Sequence, residues 1–223
     1  MNHFKTYHSK IYRDFKAIAA TEYRAVVRYF EENEKEICGL DFEEYFELLA
    51  AYTHALFEIG AYSKHLLMAP VVIEASIENN IHYYKGEDIY FKTLFQKAAS
   101  FFNLHEYQKA AHILRELIKI DPYHSDSVAF LKKCERRQRP KLVRNTRAAA
   151  MFIFLISALV ISFEVLFVRP FYKNFFDEVE LLRTALFALG WLCLLSGELM
   201  SWWRVDREVE TFAREIRRMK SSV

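Results

Sequence analysis

Two stretches in the last third of the chain carry no polar face. Residues 148–168 read AAAMFIFLISALVISFEVLFV, broken by one charge at Glu164, and residues 184–203 read TALFALGWLCLLSGELMSWW, broken by Glu198. A helix on a soluble core interrupts its apolar run every three or four residues, and neither stretch does so. At 1.5 Å of rise per residue each reaches roughly 30 Å, the hydrocarbon thickness of a bilayer. The pattern predicts two spanning helices rather than a buried soluble hairpin. Phe171, Tyr172, Phe175 and Phe176 between the stretches, and Trp202 and Trp203 closing the second, suit the headgroup level.

Elsewhere apolar positions recur at helical spacing. Residues 4–36 predict one or two helices through Phe15, Ile18, Tyr23, Val26, Val27 and Phe30, and the acidic run from Glu31 to Glu36 predicts a solvated helix end. Gly39 breaks the pattern, and Asp41 with Glu44 suggests a capping box for the next helix. Past Arg204, Val205, Val209, Phe212 and Ile216 continue at helical spacing among charges. They predict an amphipathic extension that lies on the membrane or packs under the N-terminal domain.

Composition agrees with an all-α reading, because 5 Gly and 4 Pro in 223 residues leave few turns for strands. Cys38, Cys134 and Cys193 stand far apart and fit a reducing compartment without disulfides. No apolar run follows the first charges, so no signal peptide is expected and the N-terminal domain should stay in the cytoplasm.

Charge gives the membrane helices a direction. Residues 1–131 hold 14 Lys/Arg against 19 Asp/Glu, a net of −5, whereas residues 132–147 hold eight basic residues against Glu135 alone, a net of +7. The eight are Lys132, Lys133, Arg136, Arg137, Arg139, Lys141, Arg144 and Arg147. Six more basic residues follow the second stretch, and the loop 169–183 has three: Arg169, Lys173 and Arg183. Lys/Arg excess marks the cytoplasmic side, so both ends are expected there. The basic stretch reads as a topology determinant in contact with anionic headgroups. No aromatic interleaving accompanies it, so nucleic acid is not an expected partner.

Residues 91–122 read FKTLFQKAASFFNLHEYQKAAHILRELIKIDP. Two helices, about 92–104 and 106–120, are expected around a turn at Leu104-His105. Ala98 and Ala110 let them cross closely, and Pro122 ends the second. A weaker copy has Leu49, Tyr52 and Leu56 on its first helix, Gly60 at the turn and Tyr62 beginning the second; His65 stands where Ala110 stands. Residues around Ile81–Asp88 are an insertion or a lengthened helix pair, and Ser125-Asp126-Ser127 starts a further helix. Over roughly residues 42–139 the chain thus resembles tetratricopeptide-repeat (TPR) proteins. The resemblance implies a helical solenoid with a concave face that binds peptides or partner helices, closed by a capping helix. It places His54, Phe57, Phe95, Ala99 and Phe102 toward that face. Apolar Phe95 and Ala99 stand where the family's carboxylate-gripping residues would be, so chaperone-tail binding is not implied.

The expected organisation is an N-terminal helical segment (1–40), TPR-like repeats with a cap (41–139), a basic linker (140–147), two transmembrane helices (148–168 and 184–203) and an amphipathic basic tail (204–223). Gly190, Cys193, Gly197 and Ser201 form a small-residue seam on the second span, with a weaker one at Ala158 and Ser162. It serves either the hairpin's own contact or an intermolecular one. Glu164 and Glu198 fall in opposite leaflets, roughly 15 Å apart in depth at 1.5 Å per residue, and cannot pair within one hairpin. Each either reaches toward headgroups or a neighbouring hydroxyl, or meets another subunit. No HExxH, phosphate loop, GxSxG or Cys/His cluster occurs, so no enzyme, metal or cofactor is expected. The leading expectation is a membrane-tethered scaffold for a protein partner, an accessory subunit of a larger membrane assembly. Two others stay open: an oligomer whose glutamates line a polar path, and a module acting on lipid through its basic flanks.

Overall fold

The computed structural model describes residues 8–19, 21–84, 86–138, 140–168 and 176–221. Two compact units divide the chain, Met1–Leu131 and Lys132–Val223. Apart from one two-stranded ladder, the described regular structure is helical.

The first unit runs α1 (Lys10–Ala17), α2 (Tyr23–Glu32), α3 (Glu34–Ile37), α4 (Phe42–Glu58), α5 (Tyr62–Glu78), β1 (Tyr83–Tyr84), β2 (Glu87–Asp88), α6 (Ile89–Asn103) and α7 (Tyr107–Ile120), and reaches into α8 (Ser125–Gln138). From α4 to α7 each helix packs on the next, and α2 packs on α4. Fully buried Ala69, Ala98 and Ala110 permit the close approach, while Leu48, Leu49, Leu56, Leu114, Leu117 and Ile118 fill the interior. Phe30 stacks on Tyr52 with ring centroids 4.1 Å apart, fixing α2 to α4.

One device ends three of these helices. Gly60, Asn80 and His105 take left-handed backbone angles, with φ of 79°, 54° and 64°. The following amide then bonds back to the last turn: Ala61 N to Leu56 O at 2.9 Å, Ile81 N to Ser76 O at 2.8 Å and Glu106 N to Phe101 O at 2.9 Å. These αL caps satisfy carbonyls that a helix end otherwise leaves bare. The turns at Gly60 and His105 fall where the sequence puts them.

Two local expectations need correction. The segment around Ile81–Asp88 is not a lengthened helix pair but an inserted antiparallel hairpin pairing Tyr83 with Asp88 and Tyr84 with Glu87 around Gly86. Asp41 precedes α4 without a side-chain capping bond, and the Glu44 carboxylate, the other half of the expected box, accepts the Ser9 amide at 3.1 Å. The acidic run Glu31–Glu36 is largely exposed, as expected of a solvated end, and Glu31 within it accepts Tyr52 Oη at 3.1 Å and Lys64 Nζ at 2.8 Å.

In the second unit α9 (Pro140–Phe163) passes into one π turn (Glu164–Val168), and α10 (Phe176–Ser221) is one helix of 46 residues. Val143–Leu166 and Glu180–Ser221 are long and apolar enough to cross a membrane. Met151, Phe152, Leu155 and Leu159 stand exposed on α9, and Leu189, Leu192 and Leu195 on α10. Residues 140–147 are the first two turns of α9 rather than a linker, since nothing in their sequence after Pro140 breaks a helix. Likewise the tail from Arg204 continues α10 without interruption and buries Val205, Val209 and Ala213. Arg169, Phe171, Tyr172, Lys173 and Phe175 lie outside the described residues.

A non-glycine residue in the left-handed region carries a steric cost, which His105 bears where the first turn has glycine. His105→Gly should raise stability by roughly 0.5–1 kcal/mol in urea unfolding, with His105→Ala giving no gain.

Candidate functional site

A cavity of about 430 Å³ opens in the first unit where α1, α2, α4 and α6 converge. Its existence traces to α4, whose Ala50, Ala51 and Ala55 leave space opposite Phe15, Val26 and Ile89. Lys16, Ala17, Ile18 and Ala19, from the end of α1 onward, complete the wall, with Tyr84 and Glu87 of the hairpin. On the α4–α6 side the polar members are Thr53, His54, Thr93 and Gln96. Gln96 Nε2 and His54 Nδ1 lie 2.8 Å apart, and Tyr23 meets the His54 ring edge-on at 5.8 Å.

The roof is held by carboxylates. Glu47 of α4 accepts Tyr12 Oη and Lys16 Nζ of α1, and Tyr84 Oη of the hairpin at 3.2 Å. One turn earlier Glu44, itself buried, accepts the Ser9 amide and lies 3.2 Å from His8 Nδ1. Burial would raise the Glu47 carboxyl, but the bonds from Lys16, Tyr12 and Tyr84 and the Lys16 charge outweigh it and hold the pKa below the usual carboxylate value. Phe15 is the buried apolar residue of α1. These polar bonds strap the helix down alongside the packing of Phe15, with Ile11 and Tyr12, against the core. Lys92 at the cavity edge is likewise engaged, 2.5 Å from Glu87.

Of the five residues placed by the repeat resemblance, His54 lines this cavity. Phe57 packs beside Tyr62 and His65 of α5, with centroids 6.0 and 5.5 Å away. Phe95 and Phe102 lie 5.6 and 5.3 Å from the Phe130 ring of α8. Ala99 is half-buried on α6. The cavity face of α6 is instead Ile89, Thr93 and Gln96, the last two being polar positions that an apolar-groove frame passes over. The alanine run on α4 was the available signal.

His65, at the position of Ala110, is fully buried. Its Nδ1 lies 2.9 Å from Ser100 Oγ of α6. Burial, helped by the His54 and Lys97 charges, lowers its pKa to about 4, so the ring is neutral at pH 7.

In the second unit the glutamates stand at opposite ends of the helix pair, each facing an arginine on the other helix. Arg183 Nη1 lies 3.2 Å from Glu164 Oε2, and Arg147 Nη2 lies 2.7 Å from Glu198 Oε1. Arg147 and Glu164 are 17 residues apart, about 25 Å along α9 at 1.5 Å per residue. The environments differ. Glu164 is fully buried, whereas Arg147 and Glu198 are each more than half exposed.

Between the pairs Ala150, Ser157 and Glu164 form the buried stripe of α9, seven residues apart, while Ala158 and Ser162 face outward. On α10 Gly190 and Gly197 continue the same period from Arg183. A Cβ at Gly190 would fall 2.7 Å from the Phe154 ring, and one at Gly197 would collide with Thr146. Cys193 Sγ approaches Thr146 O at 3.8 Å, and Ser201 is buried. Of the basic cluster, Lys132 Nζ binds Glu210 at 2.7 Å; Arg136 binds Asp206 at 2.8 Å and lies over the Trp202 ring. Lys133, Arg137 and Arg144 are exposed; Arg139 and the Lys141 side chain lie outside the described residues.

Comparison with protein-family models, curated proteins and solved structures finds no match.

Two outcomes are expected. Because His65 titrates lower in the folded chain than unfolded, the unfolded state binds the extra proton between these values. Stability should fall as pH drops from 6.5 toward about 4, by on the order of 3 kcal/mol, in urea unfolding of the wild type; His65→Leu should flatten that slope. In the hairpin, Arg183→Leu should cost about 3–5 kcal/mol by removing the cation paired with a buried carboxylate, and Arg147→Leu less than about 1 kcal/mol, measured by steric-trap unfolding in bicelles.

Proposed function

We propose that this protein is a membrane-anchored adaptor. Its C-terminal helix pair crosses the membrane with both ends of the chain on the cytoplasmic side, as the Lys/Arg excess outside the 169–183 loop requires. The N-terminal helical array, a TPR-like solenoid in this reading, binds a protein partner and holds it at the bilayer, within a larger membrane complex or a homo-oligomer. The basic residues flanking the first span meet anionic headgroups.

The observation that carries this reading is the outer face of α5. Leu67 and Ile77 are 73% and 62% exposed and Val71 is 37% exposed, at spacings that put them on one side of the helix. Exposed Glu74 and Glu78 stand among them, so this side of α5 offers apolar side chains interspersed with acidic ones, which suits a partner that covers the first and meets the second with basic groups. The ion pairing of both glutamates favours an anchor over a polar path, since each carboxylate already has a cation across the hairpin.

A photoreactive residue at Ser63, on the exposed side of α5, should crosslink one dominant protein in native membranes. Leu67→Glu with Ile77→Lys should weaken that band at least tenfold while the chain stays in the membrane fraction. An undiminished band would overturn the reading.

A further inference from the structure

We infer that the α1–α2–α4–α6 cavity is a binding site for a neutral single-chain amphiphile, a medium-length hydrocarbon chain with one hydrogen-bonding head. This goes beyond the adaptor reading and does not rest on it, since α5 gives the cavity only its buried Val72, while Leu67 and Ile77 are exposed and do not line it.

Folded interiors leave few voids larger than a water molecule. About 430 Å³ is room for roughly fourteen waters at ~30 Å³ each and lies within the range of small-molecule pockets. A space of this size is on the scale of one medium-length hydrocarbon chain.

The walls select the chemistry. Ala50, Ala51, Ala55, Val26 and Ile89 present methyl groups, which suit a flexible chain. The rim selects against an anion, because Lys16 is engaged by Glu47 and Lys92 by Glu87. The polar anchor is the Gln96–His54 pair, where the amide of the largely buried Gln96 brings both a donor and an acceptor to a hydroxyl or carbonyl head. The way in is past the α1 roof, which Glu44 and Glu47 tie to α4 and whose Phe15 reaches the core.

The test uses the full chain in phosphatidylcholine nanodiscs and a twelve-carbon primary alcohol carrying a tail diazirine, with labelled peptides mapped by mass spectrometry. Labelling is expected in α4 and α6. Excess dodecan-1-ol should abolish it, whereas dodecanoate and a short-tailed phosphatidylcholine should compete at least tenfold less well. Ala51→Phe, which fills the space, should cut labelling at least tenfold. Gln96→Leu, which spares the volume, should erase the preference for the alcohol over dodecane. Leu67→Glu should change nothing. Labelling confined to α9 and α10, full labelling of Ala51→Phe with its native melting temperature, or stronger competition by dodecanoate or 2-naphthol would each overturn the assignment.

Discussion

A carboxylate enclosed between two apolar helices is tolerable only with a counter-charge in reach, because hydrocarbon offers no water to take its place. Glu164 meets that demand through Arg183, and the second unit follows from the pairing. Once these two are opposed, antiparallel helices bring Gly190 under Phe154 and Gly197 under Thr146. The same register carries Arg147 to Glu198 and Arg136 to Asp206. A slip of one turn would strand the buried charge and drive Thr146 into a bulkier neighbour. Charge sets the register, and small residues make it habitable.

The first unit uses the opposite arrangement. Its interior is closed by leucines and alanines, while its N-terminal helix adds hydrogen bonds to Glu44 and Glu47 to the packing of Phe15. Polar attachment is directional but gains little from burial, so it holds α1 in position without forcing its apolar side to fill the space beneath. The cavity is the consequence. His65 shows the complementary case: a titratable ring in a tight helix crossing, kept neutral by burial and steadied by Ser100.

The helical class and the long apolar runs were legible because both depend on local periodicity. So were the turns at Gly60 and His105, where a tight connection between apolar stripes leaves few choices. What depends on partners distant in sequence was not legible. The expectation that Glu164 and Glu198 cannot pair with each other agrees with their placement, yet neither arginine was assigned to them, since a match across 19 or 51 residues needs the hairpin register. The Asp41–Glu44 capping box did not form, and the donor that Glu44 accepts lies 35 residues away. On α6, the repeat frame favoured its phenylalanines, whereas the cavity took the intervening Thr93 and Gln96.

The uninterrupted course of α10 has a mechanical consequence. At 1.5 Å per residue its 46 residues extend about 69 Å, more than twice a bilayer's hydrocarbon thickness. No proline or π turn divides the membrane-length part from the charged part. Such a rod carries a tilt of one part into the other. With a fulcrum near Trp203, a tilt of about 10° in the upper arm would sweep the far end, about 27 Å beyond, through nearly 5 Å.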